Sequence, residues 1–326
     1  MSTAHVSLFT FISRQAVLAA APMILAGTGE LLAETAGVIN IGIEGVMLLG
    51  CISAYLAAAT TGSGALGLLA AIAAGLIAGS LFALVTVIGR ADQIVAGAAM
   101  NLLAVGVSGS AWMLFQNARA NANLPTSLPL GAGFAAFSPA WADHIPYFGP
   151  VLLHQYGLFY AAVLLAILAA IALRYTRAGV ILRALGDSPE ACEAAGVGVK
   201  RWRFGVLLLA GACAGAAGAY LSIMRTHTFA SDMTGGQGFV VLALVIFGRW
   251  RVWGLVAGCL LFGAVNSLQQ SLQTLRYTQH SAIMHALASL PFELFQMLPY
   301  VVALVALAIL SRSAPGPRFL GIPWQK

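Results

Sequence analysis

Residues 66–88 read LGLLAAIAAGLIAGSLFALVTVI, an uncharged run. A helix needs about 20 apolar residues to cross the hydrocarbon core of a bilayer, and this run supplies them. The pattern recurs on both sides of it. Further apolar runs occupy 15–35, 43–60, 92–115, 151–173, 204–223, 252–270 and 293–311, with a shorter one near 237–248. Residues 281–291 read as a partial or surface helix. The expectation is an all-α integral membrane protein, a polytopic bundle of about nine transmembrane helices (8–10), folded as a single membrane domain over residues 1–326.

Composition agrees with that reading. The chain of 326 residues is 60% hydrophobic and only 8% charged, against roughly 25% charged in soluble domains. It lacks the polar surface of a water-soluble globule, and disordered chains are polar and charge-rich. Net charge is +6, but six of the sixteen basic residues fall between Arg174 and Arg203, and the rest sit singly or in pairs at the ends of apolar runs. That is the pattern of cytoplasmic loop anchors, not of a nucleic-acid face. It places 174–203, Arg90, Arg249 and Arg251 in the cytoplasm, with the tail carrying Arg312, Arg318 and Lys326. Segment 116–150, with five prolines and the interfacial aromatics Trp141, Tyr147 and Phe148, falls outside. Counting back places the N-terminus outside too. Arg14 is the first basic residue, so the first run reads as a retained span rather than a cleaved signal. Cys51, Cys213 and Cys259 lie in apolar runs and Cys192 in a polar loop, without metal-ligand spacing.

Polar residues inside the apolar runs carry the functional signal, because a charge at the centre of a membrane helix costs about 2.5–3.5 kcal/mol on insertion scales. The densest set is GELLAETAGVINIGIEG, residues 29–45, with Glu30, Glu34, Asn40, Glu44 and four glycines. It reads either as a discontinuous helix beside a translocation path or as a polar turn between two spans. A second break, RTHTFASDMTGGQGF at 225–239, reads either as the matching interruption or as an exterior loop. Asn40 and Glu44 from the first break, with Gln237 and Phe239 from the second, are the candidate substrate-pathway residues. They offer hydrogen bonds and a stacking face without a second charge.

In GDSPEACEAAGVGV, residues 186–199, Asp187 is expected to cap a short helix, with Pro189 in its first turn and Glu190 completing a capping-box pattern. Gly196 ends it. The segment reads as a helix built for docking or as a solvated connector. Asp187, Glu190, Glu193 and Gly196 are its candidate coupling residues. No GxxxxGK[ST] loop, HExxH or GxSxG motif occurs, so neither nucleotide binding nor catalysis is expected on this chain. Small-residue pairs Gly75/Gly79, Gly211/Gly215 and Gly254/Gly258 read as helix-packing positions.

These motifs resemble the permease subunits of bacterial ABC importers, in the branch holding ribose, branched-chain amino acid and nucleoside permeases. GVINIGIEG at 37–45 is similar to the nucleoside-type version of the N-terminal motif, where sugar permeases carry a Gly-Ile-Asp-Leu-Ser type sequence. DMTGGQGF at 232–239, running into VIFGRW at 245–250, is similar to the second signature, and 183–200 to the coupling-helix region. Gln237 departs from an arginine more common in that family. The resemblance covers roughly residues 25–310. It implies an inner-membrane importer for purine or pyrimidine nucleosides, or alternatively a simple sugar such as ribose. It also implies partners: a cytoplasmic ATPase holding ATP and Mg, a second and longer permease, and a periplasmic or lipid-anchored binding protein. No cofactor or metal on this chain is implied. Two other readings compete: a secondary transporter coupling a proton through Glu44 or Asp92, and a membrane enzyme acting on lipid or isoprenoid, against which the lack of paired carboxylates or clustered histidines argues and for which only His280 and His285 speak.

Overall fold

The computed structural model describes residues 8–122, 147–275 and 316–324, with isolated positions between 128 and 145 and at 297, 301 and 305. The expected span 293–311, the partial helix 281–291, His280, His285 and most of segment 123–146 lie outside the described residues. Within them the chain is helical. The long elements are α1 (Leu8–Thr35), α2 (Ile43–Thr61), α3 (Gly64–Ala83, continued by a wider π turn at Leu84–Ile88), α4 (Gln93–Asn121) and α5 (Gly157–Tyr175). There follow α6 (Arg177–Asp187), α7 (Pro189–Ala194), α8 (Val199–Ala219, continued by a π turn at Tyr220–Thr226), α9 (Gln237–Phe247) and α10 (Val252–Leu275). Seven helices among the described residues are long and apolar enough to span a membrane, and α9 is a shorter apolar helix.

Burial ranks these helices. α1, α2 and α8 are buried along most of their length, whereas α3, α4, α5 and α10 expose apolar flanks. Leu69, Ile77, Leu102, Leu114 and Leu168 are all exposed, as side chains facing lipid should be. The centre is closed by small residues. A Cβ on Gly75 would strike the Gly211 carbonyl and sit 3.0 Å from the Gly215 Cα, and one on Gly79 would sit 3.2 Å from the Gly211 Cα. The two small-residue pairs of α3 and α8 therefore pack against each other, which gains van der Waals contact that lipid cannot supply. Gly254 meets Gly248 in the same way.

The ends of α1 orient the bundle. Its 28 residues span about 42 Å. At the N-terminal end, Phe9 stacks on Tyr147 at 5.4 Å and Tyr147 donates to Ser13 Oγ at 3.1 Å. At the C-terminal end α1 meets α6 and the tail 316–324. Tyr147 of segment 116–150 and α6 of the basic stretch 174–203 therefore lie at opposite ends of α1.

The basic stretch 174–203 holds a helix where the sequence reading gives a loop. α6 is amphipathic, burying Leu182, Leu185 and Gly186 while exposing Arg177 and Arg183. Its N-terminus is capped by the Thr176 hydroxyl, which accepts from Gly179 N at 3.2 Å. Because α6 runs through Asp187, that residue ends one helix instead of capping the next. Ser188 holds the N-cap position of α7, without a side-chain cap bond. Pro189 is in the first turn as expected, and Gly196 reverses the chain at φ +80°. Asp187, Glu190, Glu193 and Gly196 are all exposed.

Candidate functional site

The first polar break turns the chain back beside α1. Between Thr35 and Ile43 the backbone is irregular: the Ala36, Gly37 and Val38 amides still donate to carbonyls of the last turn of α1, and the next two amides find side chains. Asn40 N donates to Glu30 Oε1 at 2.8 Å, and Ile39 N to Gln93 Oε1 at 2.9 Å. Asn101 of α4 accepts from Gly45 N at 2.8 Å and donates to the Ile41 carbonyl at 3.0 Å. Glu30 lies more than a turn before the end of α1, so Asn40 sits alongside α1 and not beyond it. Irregular backbone at that depth is tolerated because protein covers it and satisfies it.

Glu44 joins the two breaks. Standing in the first turn of α2, its carboxylate accepts from Gly236 N at 2.8 Å and Gly238 N at 2.6 Å. Those amides open α9, so a carboxylate 192 residues away in sequence caps the half-helix and meets the positive end of its dipole. The glycines follow from this approach. A Cβ on Gly238 would lie 2.7 Å from the Glu44 backbone, and Gly235 and Gly236 carry φ +54° and +80°. Glu34, on the face of α1 below Glu30, accepts from Trp250 Nε1 at 2.7 Å, which fixes the far end of α9. Each membrane-buried glutamate thus holds a different segment.

The four candidate pathway residues are distributed unevenly. Asn40 is 1% exposed, and its Oδ1 and Nδ2 have no hydrogen-bond partner among the described residues. Gln237 is half-buried with Oε1 likewise unpartnered, beside buried Thr234 whose hydroxyl is also unpartnered. Phe239 is 47% exposed. The break residues 229–236 link two depths: Phe229 packs edge-on against Trp112 of α4 at 5.3 Å, while Gly236 lies at Glu44. Among the described residues no group of three or more His, Cys, Asp or Glu is placed to hold a metal ion.

Sequence reasoning gave no site role to Gln93, Asn101, Trp250 or Arg203. The first two were visible as amides inside the apolar run 92–115, and Arg203 as a cation at the mouth of a span. Arg203 is 2% exposed and, among the described residues, donates to three carbonyls. At the same end, a groove of about 840 Å³ is bordered by Arg174, Arg183, Arg249 and Arg251 together with Asp187 and Trp253.

A bundle of spanning helices, closed by glycine contacts and interrupted at two facing polar breaks, is the architecture of a multi-pass membrane transport protein. The profile of the family described as branched-chain amino acid transport system / permease component matches residues 13–307, and the chain belongs to that family. It is similar to the nucleoside ABC transporter permease protein NupC of Lactococcus lactis subsp. cremoris, 30% identical over 94% of this chain and 93% of that one. It is also similar to the guanosine ABC transporter permease protein NupQ of Bacillus subtilis, 29% identical over 98% of each. TsgC13 of Haloferax volcanii, provisionally named a glucose ABC transporter permease protein, is 31% identical over 79% of this chain and 77% of its own. No solved structure matches. The chain is a permease subunit of an ABC importer, embedded in the inner membrane by multiple passes, and such permeases work with an ATPase and a substrate-binding protein.

Proposed function

We propose that this permease passes nucleosides across the inner membrane, between its two polar breaks, while ATP and Mg are handled by a separate cytoplasmic subunit. The observation that carries the reading is the Glu44 clamp. It makes the two signature segments one unit and brings Gln237 and Phe239 to the same half-helix. With both oxygens engaged by α9 amides, Glu44 serves to position that half-helix. Asn40 and Gln237 then supply amides for ribose hydroxyls and base edges, and Phe239 supplies a face for stacking, an interaction worth about 1–3 kcal/mol per base in nucleic-acid proteins. Weak, multiple contacts suit a passage that must release its cargo. The names of NupC and NupQ support nucleosides, and the match to TsgC13 keeps a simple sugar as the second reading.

In this reading α7 docks the ATPase through Glu190 and Glu193, and a second, longer permease completes the path. The binding protein delivers ligand on the face that carries segment 116–150. The chain itself performs no catalysis and carries no cofactor or metal. A proton-coupled secondary transporter finds little support, since the Asp92 carboxylate caps α4 by accepting from Ile94 N and Val95 N at 2.8 and 3.0 Å, and Glu44 is engaged as described. The substrate class is tested on the cognate binding protein. Guanosine, adenosine, uridine, ribose and glucose are each added, and its melting temperature is measured. A rise with nucleosides alone supports this reading, and a rise with glucose or ribose alone replaces it with the sugar reading.

A further inference from the structure

One buried cation draws together three segments that the sequence keeps far apart. Arg203, in the second turn of α8, donates from Nε to the Ala36 carbonyl at 3.1 Å, from Nη1 to the Ile322 carbonyl at 3.3 Å, and from Nη2 to the Leu185 carbonyl at 3.4 Å. Ala36 follows the last residue of α1 and Leu185 lies in the last turn of α6. These are positions where helix carbonyls lack intrahelical partners and the dipole is negative. A planar guanidinium, with donors in a fixed fork, serves several such carbonyls at once in a way an ammonium does not.

The backbone repeats the arrangement. Phe319 N donates to the Gly186 carbonyl at 2.8 Å, and Gly321 N to the Gly37 carbonyl at 3.3 Å. The tail 316–324 therefore lies across the end of α6 and the start of the first break. Two glycines permit the approach. A Cβ on Gly37 would sit 2.7 Å from Arg203 Nη2 and 3.3 Å from the Gly186 Cα, while one on Gly186 would strike the Thr35 carbonyl. Beyond α6, only Ser188 separates its last residue from the first of α7. Gly37, in turn, is three residues from Asn40.

Resting on the reading under Proposed function, we infer that Arg203 and the tail 316–324 form the joint that carries displacement of the docking helix α7 to the first polar break. α6 is the lever, and its C-terminal end is pinned to residues 36–37 by the arginine on one side and the tail on the other. A push on α7 therefore moves the break along with α6, and does not dissipate in a loose connector. Arg203 is a positioning residue and touches no substrate.

The test uses the reconstituted complex of permease, ATPase and binding protein, and reads substrate imported per ATP hydrolysed. Three forms are compared with the wild type: Arg203→Gln, Arg203→Lys, and a chain ending at Pro315. Arg203→Gln and the truncation are expected to assemble and hydrolyse ATP at close to the wild-type rate. Their import per ATP falls about tenfold or more, the scale of a coupling free energy between two sites. Arg203→Lys, which keeps the charge and loses the fork, falls in between. If Arg203→Gln does not assemble, the truncation, which leaves the bundle interior filled, decides alone. Wild-type import per ATP in every variant that assembles overturns the joint and leaves the importer reading intact. Absence of ATP-dependent import in the wild-type complex overturns both.

Discussion

Glu44 and Gly238 share a single contact, and their substitutions separate its charge from its geometry. Glu44→Gln keeps the shape and removes the charge that faces two helix-opening amides. Hydrogen bonds to a charged group contribute about 1.5–3 kcal/mol each, so the solubilised complex is expected to melt several degrees lower and to transport more slowly. Gly238→Ala forces a methyl against the Glu44 backbone, where it would lie 2.7 Å away. Overpacking of that kind costs about 1–3 kcal/mol, and the melting temperature checks it. Gln237→Ala behaves differently. Its Oε1 has no hydrogen-bond partner among the described residues, so the melting temperature of this variant should stay near wild type while the transport rate changes. If Gln237→Ala leaves the rate unchanged, its amide is a packing group and the passage lies elsewhere.

At the scale of elements, α7, proposed above to dock the ATPase, offers the sharpest expectation. Glu190 is exposed in its first turn, and Glu190→Arg reverses a charge that would face a partner. Like-charge juxtaposition across an interface costs several kcal/mol. Uptake should fall while the permease still reaches the membrane in normal amount, as measured by transport assay and membrane immunoblot together. Normal uptake with normal recovery of the ATPase in pull-down would remove α7 from the coupling interface. The sequence made the spans legible because apolar length is a one-dimensional property, and 66–88 or 151–173 needs no partner to be recognised. It made α7 legible through Pro189 and Gly196, whose backbone preferences are local. It misplaced the cap, since Asp187 belongs to α6, a helix stabilised by burying Leu182 and Leu185 against other elements. Its amphipathic spacing is a local signature, but it covers only 11 residues inside a charged stretch that reads as loop. The Glu44–α9 cap and the Arg203 contacts were illegible because their partners lie more than a hundred residues away, except for Leu185.

Across the whole molecule, the orientation expected from the basic residues is a prediction to be measured. Tyr147 meets the start of α1, and the tail 316–324 meets its end. A cysteine at Ser127, in segment 116–150, should label with a membrane-impermeant thiol reagent in intact spheroplasts. The native background is low, since Cys51, Cys192, Cys213 and Cys259 are all buried. Labelling only after lysis would invert the topology and place the docking helix on the wrong side for an ATPase. The molecule also divides its labour by charge. Its carboxylates inside the bundle secure backbone breaks, and Arg177, Arg183, Arg201 and Arg203 gather on and around α6 and α7. The central claim is that this permease moves a nucleoside at the expense of ATP hydrolysed elsewhere. It is tested most directly in proteoliposomes holding the permeases with their ATPase and binding protein, by following labelled guanosine with ATP or with a proton gradient as the energy source. The account predicts uptake that requires ATP and the binding protein and is indifferent to the gradient. Uptake driven by the gradient in the absence of ATP would contradict it.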